Sequence, residues 1–250
     1  MKKSINTFKR YEKKYIIDSN QYDKLMMLFK NQMQFDEYSE SQINNIYYDT
    51  HDFKMIRASI EKPVYKEKIR LRSYGTPEAY DDVFLEIKKK HDGIVYKRRL
   101  QMPYSTAKVC MMKNKCMDNT QIGKEIQWSL DYYKPEPKVF IGYHRLAMKG
   151  IEDENLRITL DNNLLFRDYD LSLSSGSYGQ YLLEKGQYIM EIKTIGGMPL
   201  WLSKALDELK VMPSSFSKYG VAYKTMLRRF LLEEGVVNHD WWNINNVDCQ

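Results

Sequence analysis

Four residues in one short stretch, Lys66, Lys68, Arg70 and Arg72, stand at alternate positions, and between them lie Glu67, Ile69 and Leu71. Successive side chains of a β-strand point to opposite faces, so this stretch is a strand with one cationic face and one largely apolar face. The same parity recurs along the chain. Arg10, Glu12 and Lys14 share a face, as do Glu86 and Lys88, which are backed by Val83, Leu85 and Ile87. Lys97 pairs with Arg99 and Tyr143 with Arg145; Arg157, Thr159 and Asp161 are backed by Leu156, Ile158 and Leu160; Glu191 and Lys193 are backed by Met190 and Ile192. A wet antiparallel sheet accounts for any one of these strands. It accounts poorly for the repetition, because two unit charges about 7 Å apart repel by roughly 2 kcal/mol at an effective dielectric near 20. A bound polyanion removes that cost. The apolar faces must be covered by helices. The expectation is therefore an α+β protein: an antiparallel closed β-barrel of about eight strands, a tunnel with a charged lumen, flanked by α-helices.

The rest of the chain supplies the helices. Ser19 reads as an N-cap for a helix over 19–35, with Tyr22, Leu25, Met26, Phe29 and Met33 along one face. Residues 105–116 and 120–133 read as helices, 199–211 follows Pro199, and a last helix runs from Ser214 or Ser215 to Gly235. Strands are expected at 10–17, 44–49, 65–72, 83–90, 94–100, 138–148, 156–161 and 188–194, with His91-Asp92-Gly93 as a hairpin turn. Ser172 to Gly179 reads as a flexible loop. No linker divides the chain, so one domain spans 1–235 and a tail spans 236–250, with Trp241 and Trp242. With 43% hydrophobic and 29% charged residues the composition is globular. No run reaches the roughly 18–20 apolar residues of a membrane-spanning helix, and no secretory signal is read at the N-terminus. Cys110, Cys116 and Cys249 do not make a disulfide framework, and a reducing cytoplasm is the expected location.

Phosphate is the ligand that fits such a bore. A linear phosphate chain is narrow, anionic and rich in acceptors, and suits arginine forks and lysine point charges. Glu12, Glu86 and Glu191 on the basic faces either neutralise their neighbours or hold a divalent cation that bridges phosphates. The helix start at Ser214-Ser-Phe-Ser-Lys218 offers free amides to an anion. No phosphate-binding glycine loop, dinucleotide fingerprint or zinc-protease motif occurs, and His51, His91, His144 and His239 are dispersed.

In order, Arg10-x-Glu-x-Lys-Tyr15, Ile46-Tyr-Tyr-Asp49, Ile69-Arg-Leu-Arg-x-Tyr-Gly75, Leu85-Glu-Ile-Lys88, Lys97-x-Arg99, Tyr143-x-Arg145, Leu156-Arg-Ile-Thr-Leu-Asp161, Met190-Glu-Ile-Lys193 and Phe216-Ser-Lys-Tyr219 resemble the VTC domain. This is the polyphosphate-polymerase branch of the CYTH-like triphosphate tunnel metalloenzymes, and the resemblance covers about residues 8–230. It implies transfer of the ATP γ-phosphate to a growing inorganic polyphosphate chain, release of ADP, and a requirement for Mn²⁺ or Mg²⁺. By position it implies catalytic roles for Arg70, Arg72, Lys88, Arg145 and Arg157. Lys14, Lys97, Tyr143, Lys193, Ser217 and Lys218 would bind substrate, and Glu191 would carry the metal, with Glu12 and Glu86 as further candidates. Ser215 stands where eukaryotic members carry a lysine, which bears on affinity for the chain. Two other readings stay open. One is a tunnel hydrolase or nucleotide cyclase, against which Arg10 occupies the slot of a first-strand carboxylate. The other is a non-catalytic polyphosphate-binding module. A closed bore argues against nucleic acid, which favours an open groove, and product export would need a membrane-protein partner. Arg70→Ala and Arg72→Ala are both expected to abolish synthesis with the fold retained.

Overall fold

The computed structural model describes residues 10–236 apart from Lys62 and Gly93. The Trp241-Trp242 tail, His239, Cys249, the glycine of the Asp92-Gly93 turn and the side chain of Arg10 lie outside the described residues. The order of elements is β1 (Arg10–Ile17), α1 (Ser19–Phe29), β2 (Met33–Asp49), α2 (Lys54–Ile60), β3 (Tyr65–Tyr74), β4 (Asp82–His91), β5 (Ile94–Pro103), α3 (Tyr104–Lys113), α4 (Gln121–Tyr133), β6 (Glu136–Gly150), β7 (Arg157–Arg167), β8 (Gln180–Tyr181), β9 (Tyr188–Ile195), α5 (Leu200–Glu208), β10 (Pro213–Ser214) and α6 (Lys218–Glu233). The strands form one 10-stranded antiparallel sheet in the order β10-β1-β9-β7-β6-β2-β3-β4-β5, with β8 on β7. Setting aside the two-residue β8 and β10 leaves eight long strands.

The sheet is not closed by hydrogen bonds. β5 ends one side and β10 the other. β10 is two residues long and begins with Pro213, which has no N–H to donate. Where a closed barrel was expected, the sheet among the described residues curls without a hydrogen-bonded seam. Its charged face still turns on itself: Lys14 of β1 acts on the charge of Lys68 in β3, and Glu12 and Glu191 act on Lys88 in β4.

Three apolar cores explain the curl. On the outside of β1, β7 and β9, α1 and α5 bury Leu25, Phe29, Leu202 and Leu206 against Tyr15, Ile158, Met190 and Ile192. On the outside of β3 and β4, α3 and α4 bury Ala107, Met111, Ile126 and Leu130 against Ile69, Leu71, Leu85 and Ile87. Each fully buried aliphatic side chain of this kind contributes about 1.5–3 kcal/mol. The third core lies on the inner face, where Tyr219 and Ala222 of α6 pack with Tyr47, Val139, Ile141 and Tyr143. Thus α6 does not cover an outer face, as the sequence pattern suggested. It fills the apolar part of the inner face and leaves the charged part free. Asp49 fixes this arrangement by accepting from the amides of Met55 and Ile56 (2.9 Å each) and from the Tyr219 hydroxyl (3.0 Å).

Several boundaries differ from the expectation for local reasons. Asp18, not Ser19, caps α1: its Oδ1 accepts from Gln21 N at 2.8 Å, and the Gln21 side chain returns to Asp18 N at 3.1 Å. The helix stops at Phe29 and Met33 opens β2. The last helix begins at Lys218 because Ser217 Oγ accepts from Gly220 N, while Pro213–Ser214 pairs with β1. The loop before β8 is pinned. The buried Arg167 guanidinium donates to the carbonyls of Asp170, Ser172, Gly176 and Tyr178, all at 3.0 Å, between the rings of Phe140 and Tyr178. Gly179 makes this possible: at φ +147 a Cβ would meet the Phe166 carbonyl at 2.2 Å.

Candidate functional site

The inner face gathers its cations around three carboxylates. Glu86, at the centre of the first group, is 1% exposed. Arg70 reaches it at 2.6 Å, Arg99 at 2.6 Å, Lys97 at 2.8 Å and Arg72 at 4.0 Å. These groups meet because β3, β4 and β5 pair with Arg70 opposite Glu86 and Glu86 opposite Arg99. Burial pushes the Glu86 carboxyl upward, but Arg70, Arg72 and Lys97 overcome it and hold the group well below the usual carboxylate range. Burial brings Lys97 down to about 8, against the opposing pull of Glu86. Arg72 also donates to Asn45 Oδ1 at 2.9 Å and to the Tyr143 hydroxyl at 3.3 Å.

Asp161 organises the second group and is likewise 1% exposed. Arg145 donates to both of its oxygens, at 2.6 and 2.8 Å, and Lys218 donates at 2.6 Å. Arg145 and Lys218 also lie 5.3 and 4.6 Å from the centre of the Tyr143 ring. Burial opposes the charge on Asp161, yet Lys218 and Arg145 depress its carboxyl far below the ordinary value.

The third group joins β1 and β9. Lys14 stands opposite Glu191 and Glu12 opposite Lys193. Glu191 pairs with Lys193 at 2.5 Å and Lys14 at 3.8 Å, and Glu12 pairs with Lys14 at 3.6 Å. Against the effect of burial, Lys193 and Lys14 lower Glu191 to about 2. Lys88 belongs to the same field. Burial depresses its ammonium, helped by Lys14 and opposed by Glu12 and Glu191. Arg157 is exposed at the end of the face, in register with Lys149 and Lys193. Ser217 caps α6 and accepts from Lys68 at 3.1 Å.

Every predicted site residue thus stands on one curled face, with Arg157 at its edge. Four further participants belong with them. Lys68 lies on the basic row of β3 and was readable there; burial carries it down to about 8, with Lys14 and Lys88 adding and Tyr47 opposing. Arg99 follows Lys97 by two. Asp161 carries a partner, Lys218, that sequence parity cannot supply. Tyr47 is brought in by register alone, opposite Arg70. Its hydroxyl accepts from Arg70 at 3.2 Å and its ring stacks on Tyr219 at 4.8 Å. Burial raises its pKa, but Arg70 and Lys68 bring it down to about 8.

Among the described residues no group of three or more His, Cys, Asp or Glu side chains is placed to hold a metal by itself. Glu86 and Asp161 are each occupied by at least two cations. Glu191 is engaged closely by Lys193 alone, with Lys14 farther off at 3.8 Å, so of the three it is the carboxylate that, with Glu12 beyond Lys14, could share lone pairs with a hard cation. A cavity of about 260 Å³ opens elsewhere, between Tyr22, Glu40, His144, Asn162 and Tyr188, and shares only Arg145 with the charged face. Among the described residues no helix is long and apolar enough to cross a membrane.

A family model described as the VTC domain matches residues 9–227. A Bacillus halodurans structure described as a candidate adenylate cyclase is similar in fold, with TM-score 0.52 and 15% identity, over 82% of this chain and 92% of that one. The PH1819 protein of Pyrococcus horikoshii aligns with TM-score 0.42 and 14% identity, over 87% of this chain and 99% of that one. No curated protein matches the chain.

Proposed function

Because the chain belongs to the VTC domain family, we propose that it is a polyphosphate polymerase, transferring the γ-phosphate of ATP to a growing inorganic polyphosphate chain and releasing ADP. The observation that carries this reading is the state of the inner carboxylates. Glu86, Asp161 and Glu191 are all engaged by cations and all held below the ordinary carboxylate range. None is poised to take a proton from water. A terminal phosphate of a polyphosphate chain needs no such base, since its oxygen is already anionic. That oxygen attacks the γ-phosphorus, the bond from the γ-phosphorus to the β–γ bridging oxygen breaks, and ADP leaves with that oxygen. Positioning and charge stabilisation are then the whole task of the protein.

The roles follow from placement. Arg70, Arg72, Lys88, Arg145 and Arg157 neutralise charge on the transferred and flanking phosphates. Lys14, Lys97, Lys193 and Lys218 hold the chain along the face, with Lys68 and Arg99. The Tyr143 and Ser217 hydroxyls add hydrogen bonds. Glu191 and Glu12 are the carboxylates that would hold Mn²⁺ or Mg²⁺. Such an ion would supply charge neutralisation to the bound phosphates. The test is product analysis with ATP and Mn²⁺. ADP together with a phosphate polymer that hot acid converts to orthophosphate is expected. Free phosphate in step with ADP would make the chain a hydrolase, cyclic nucleotide with pyrophosphate a cyclase. No turnover, with a large thermal shift on polyphosphate, would make it a binding module.

A further inference from the structure

Asp161 is a buried anion in the middle of a face that must attract anions. Three donor atoms from two elements reach it: Nε and Nη2 of Arg145 in β6, and Nζ of Lys218 at the start of α6. Lys218 and Arg145 lie against one aromatic ring, that of Tyr143, which is 2% exposed. The adjacent Ser217 accepts from Lys68, so the start of α6 is held from β3 as well as from β7. Two like charges this close repel, and a lysine has four rotatable bonds along which to move away. The carboxylate is what keeps both cations at one place.

The geometry points to Asp161 as a positioning residue for phosphoryl transfer, one that fixes Arg145 and Lys218 for the reacting phosphates at the expense of attraction for the chain. This rests on the polymerase reading above. It makes two effects of removing the charge run in opposite directions. A residue that merely compensated its neighbours would, once neutralised, let both binding and turnover improve.

The experiment uses the full chain with Asp161→Asn. Tripolyphosphate affinity is measured by calorimetry and ATP turnover with Mn²⁺ by ADP release. The expected result is a several-fold tighter tripolyphosphate complex together with turnover lowered on the order of 10²-fold, the scale of a 1 Å misplacement. Turnover that is unchanged or raised overturns the assignment, and so does weaker tripolyphosphate binding. Should Asp161→Asn not fold, Asp161→Glu keeps the charge and moves it by one methylene; affinity near wild type with turnover down about ten-fold or more supports the assignment, and wild-type turnover overturns it. A cycle with Lys218→Met separates a structural role: the effect of Asp161→Asn on turnover shrinks in the Lys218→Met background, whereas additive losses overturn the proposal. Absence of turnover in the wild-type chain would refute the polymerase reading; unaltered tripolyphosphate affinity in Asp161→Asn would refute this one.

Discussion

Replacing Glu86 by Gln removes one negative charge from the middle of Arg70, Arg72, Lys97 and Arg99. The side chain of Glu86 is 2% exposed, so water cannot take over its role, and breaking a buried pair of this kind costs about 3–5 kcal/mol. The cations themselves are less buried, with Arg99 at 35% and Lys97 at 44% exposure, which places the expected loss near the lower bound, about 3 kcal/mol. For a chain of this size that is a fall in Tm of roughly 6–12 °C. The pH dependence has a definite sign. The folded-state pKa of Glu86 is depressed, so its contribution is fully present above the unfolded carboxyl pKa and is lost as pH falls through the folded value. Wild type and Glu86→Gln therefore differ most at neutral pH and converge only as pH falls well below the ordinary carboxylate range. Tripolyphosphate should raise the Tm of the variant more than that of wild type, because it supplies the missing anion. Differential scanning calorimetry at pH 7 and at a series of acid pH values down to 2, with and without tripolyphosphate, measures all three. A variant within about 0.5 kcal/mol of wild type at pH 7, or one that tripolyphosphate does not favour, would refute the reasoning.

Other expectations follow from the same face. Arg70→Ala should abolish synthesis and change stability by less than about 1 kcal/mol, since Glu86 keeps Arg99 and Lys97. Arg72→Ala should abolish synthesis and also cost about 2–4 kcal/mol in chemical denaturation, because Arg72 is 5% exposed and its loss strands the buried Asn45 oxygen. Tripolyphosphate affinity should fall as pH rises from 7 to 9, because Lys68 and Tyr47 each lose a proton near 8 and each loss makes the face less positive; Lys68→Met should weaken binding at pH 7 and flatten that decline in a calorimetric titration. Ser217→Ala should cost about 1 kcal/mol as a lost helix cap, with a further loss of tripolyphosphate affinity from the freed Lys68.

The strands and their charged parity were legible in the sequence because a period of two survives every change of register. Thus Lys66 to Arg72, Glu86 to Lys88 and Glu191 to Lys193 all lie on the faces their spacing assigns. Closure was not legible, since it depends on whether edge strands meet, and a two-residue strand starting with Pro213 gives no such sign. The destination of α6 was also hidden. An amphipathic helix advertises an apolar stripe, not which side of a sheet will receive it, and only the inward-facing Tyr47, Val139 and Ile141 reveal that the inner face has an apolar part. Asp161 and Tyr47 were missed for the same reason: their partners Lys218 and Arg70 come from other elements, 57 and 23 residues away.

The most direct test of the account is a crystal structure of the chain soaked with tripolyphosphate. The anion is expected to lie along the inner face, its oxygens within hydrogen-bond distance of Arg70, Lys88, Arg145 and Lys193. Tripolyphosphate seated only on the outer surface, with the inner cations still bound to Glu86, Asp161 and Glu191 alone, would contradict it.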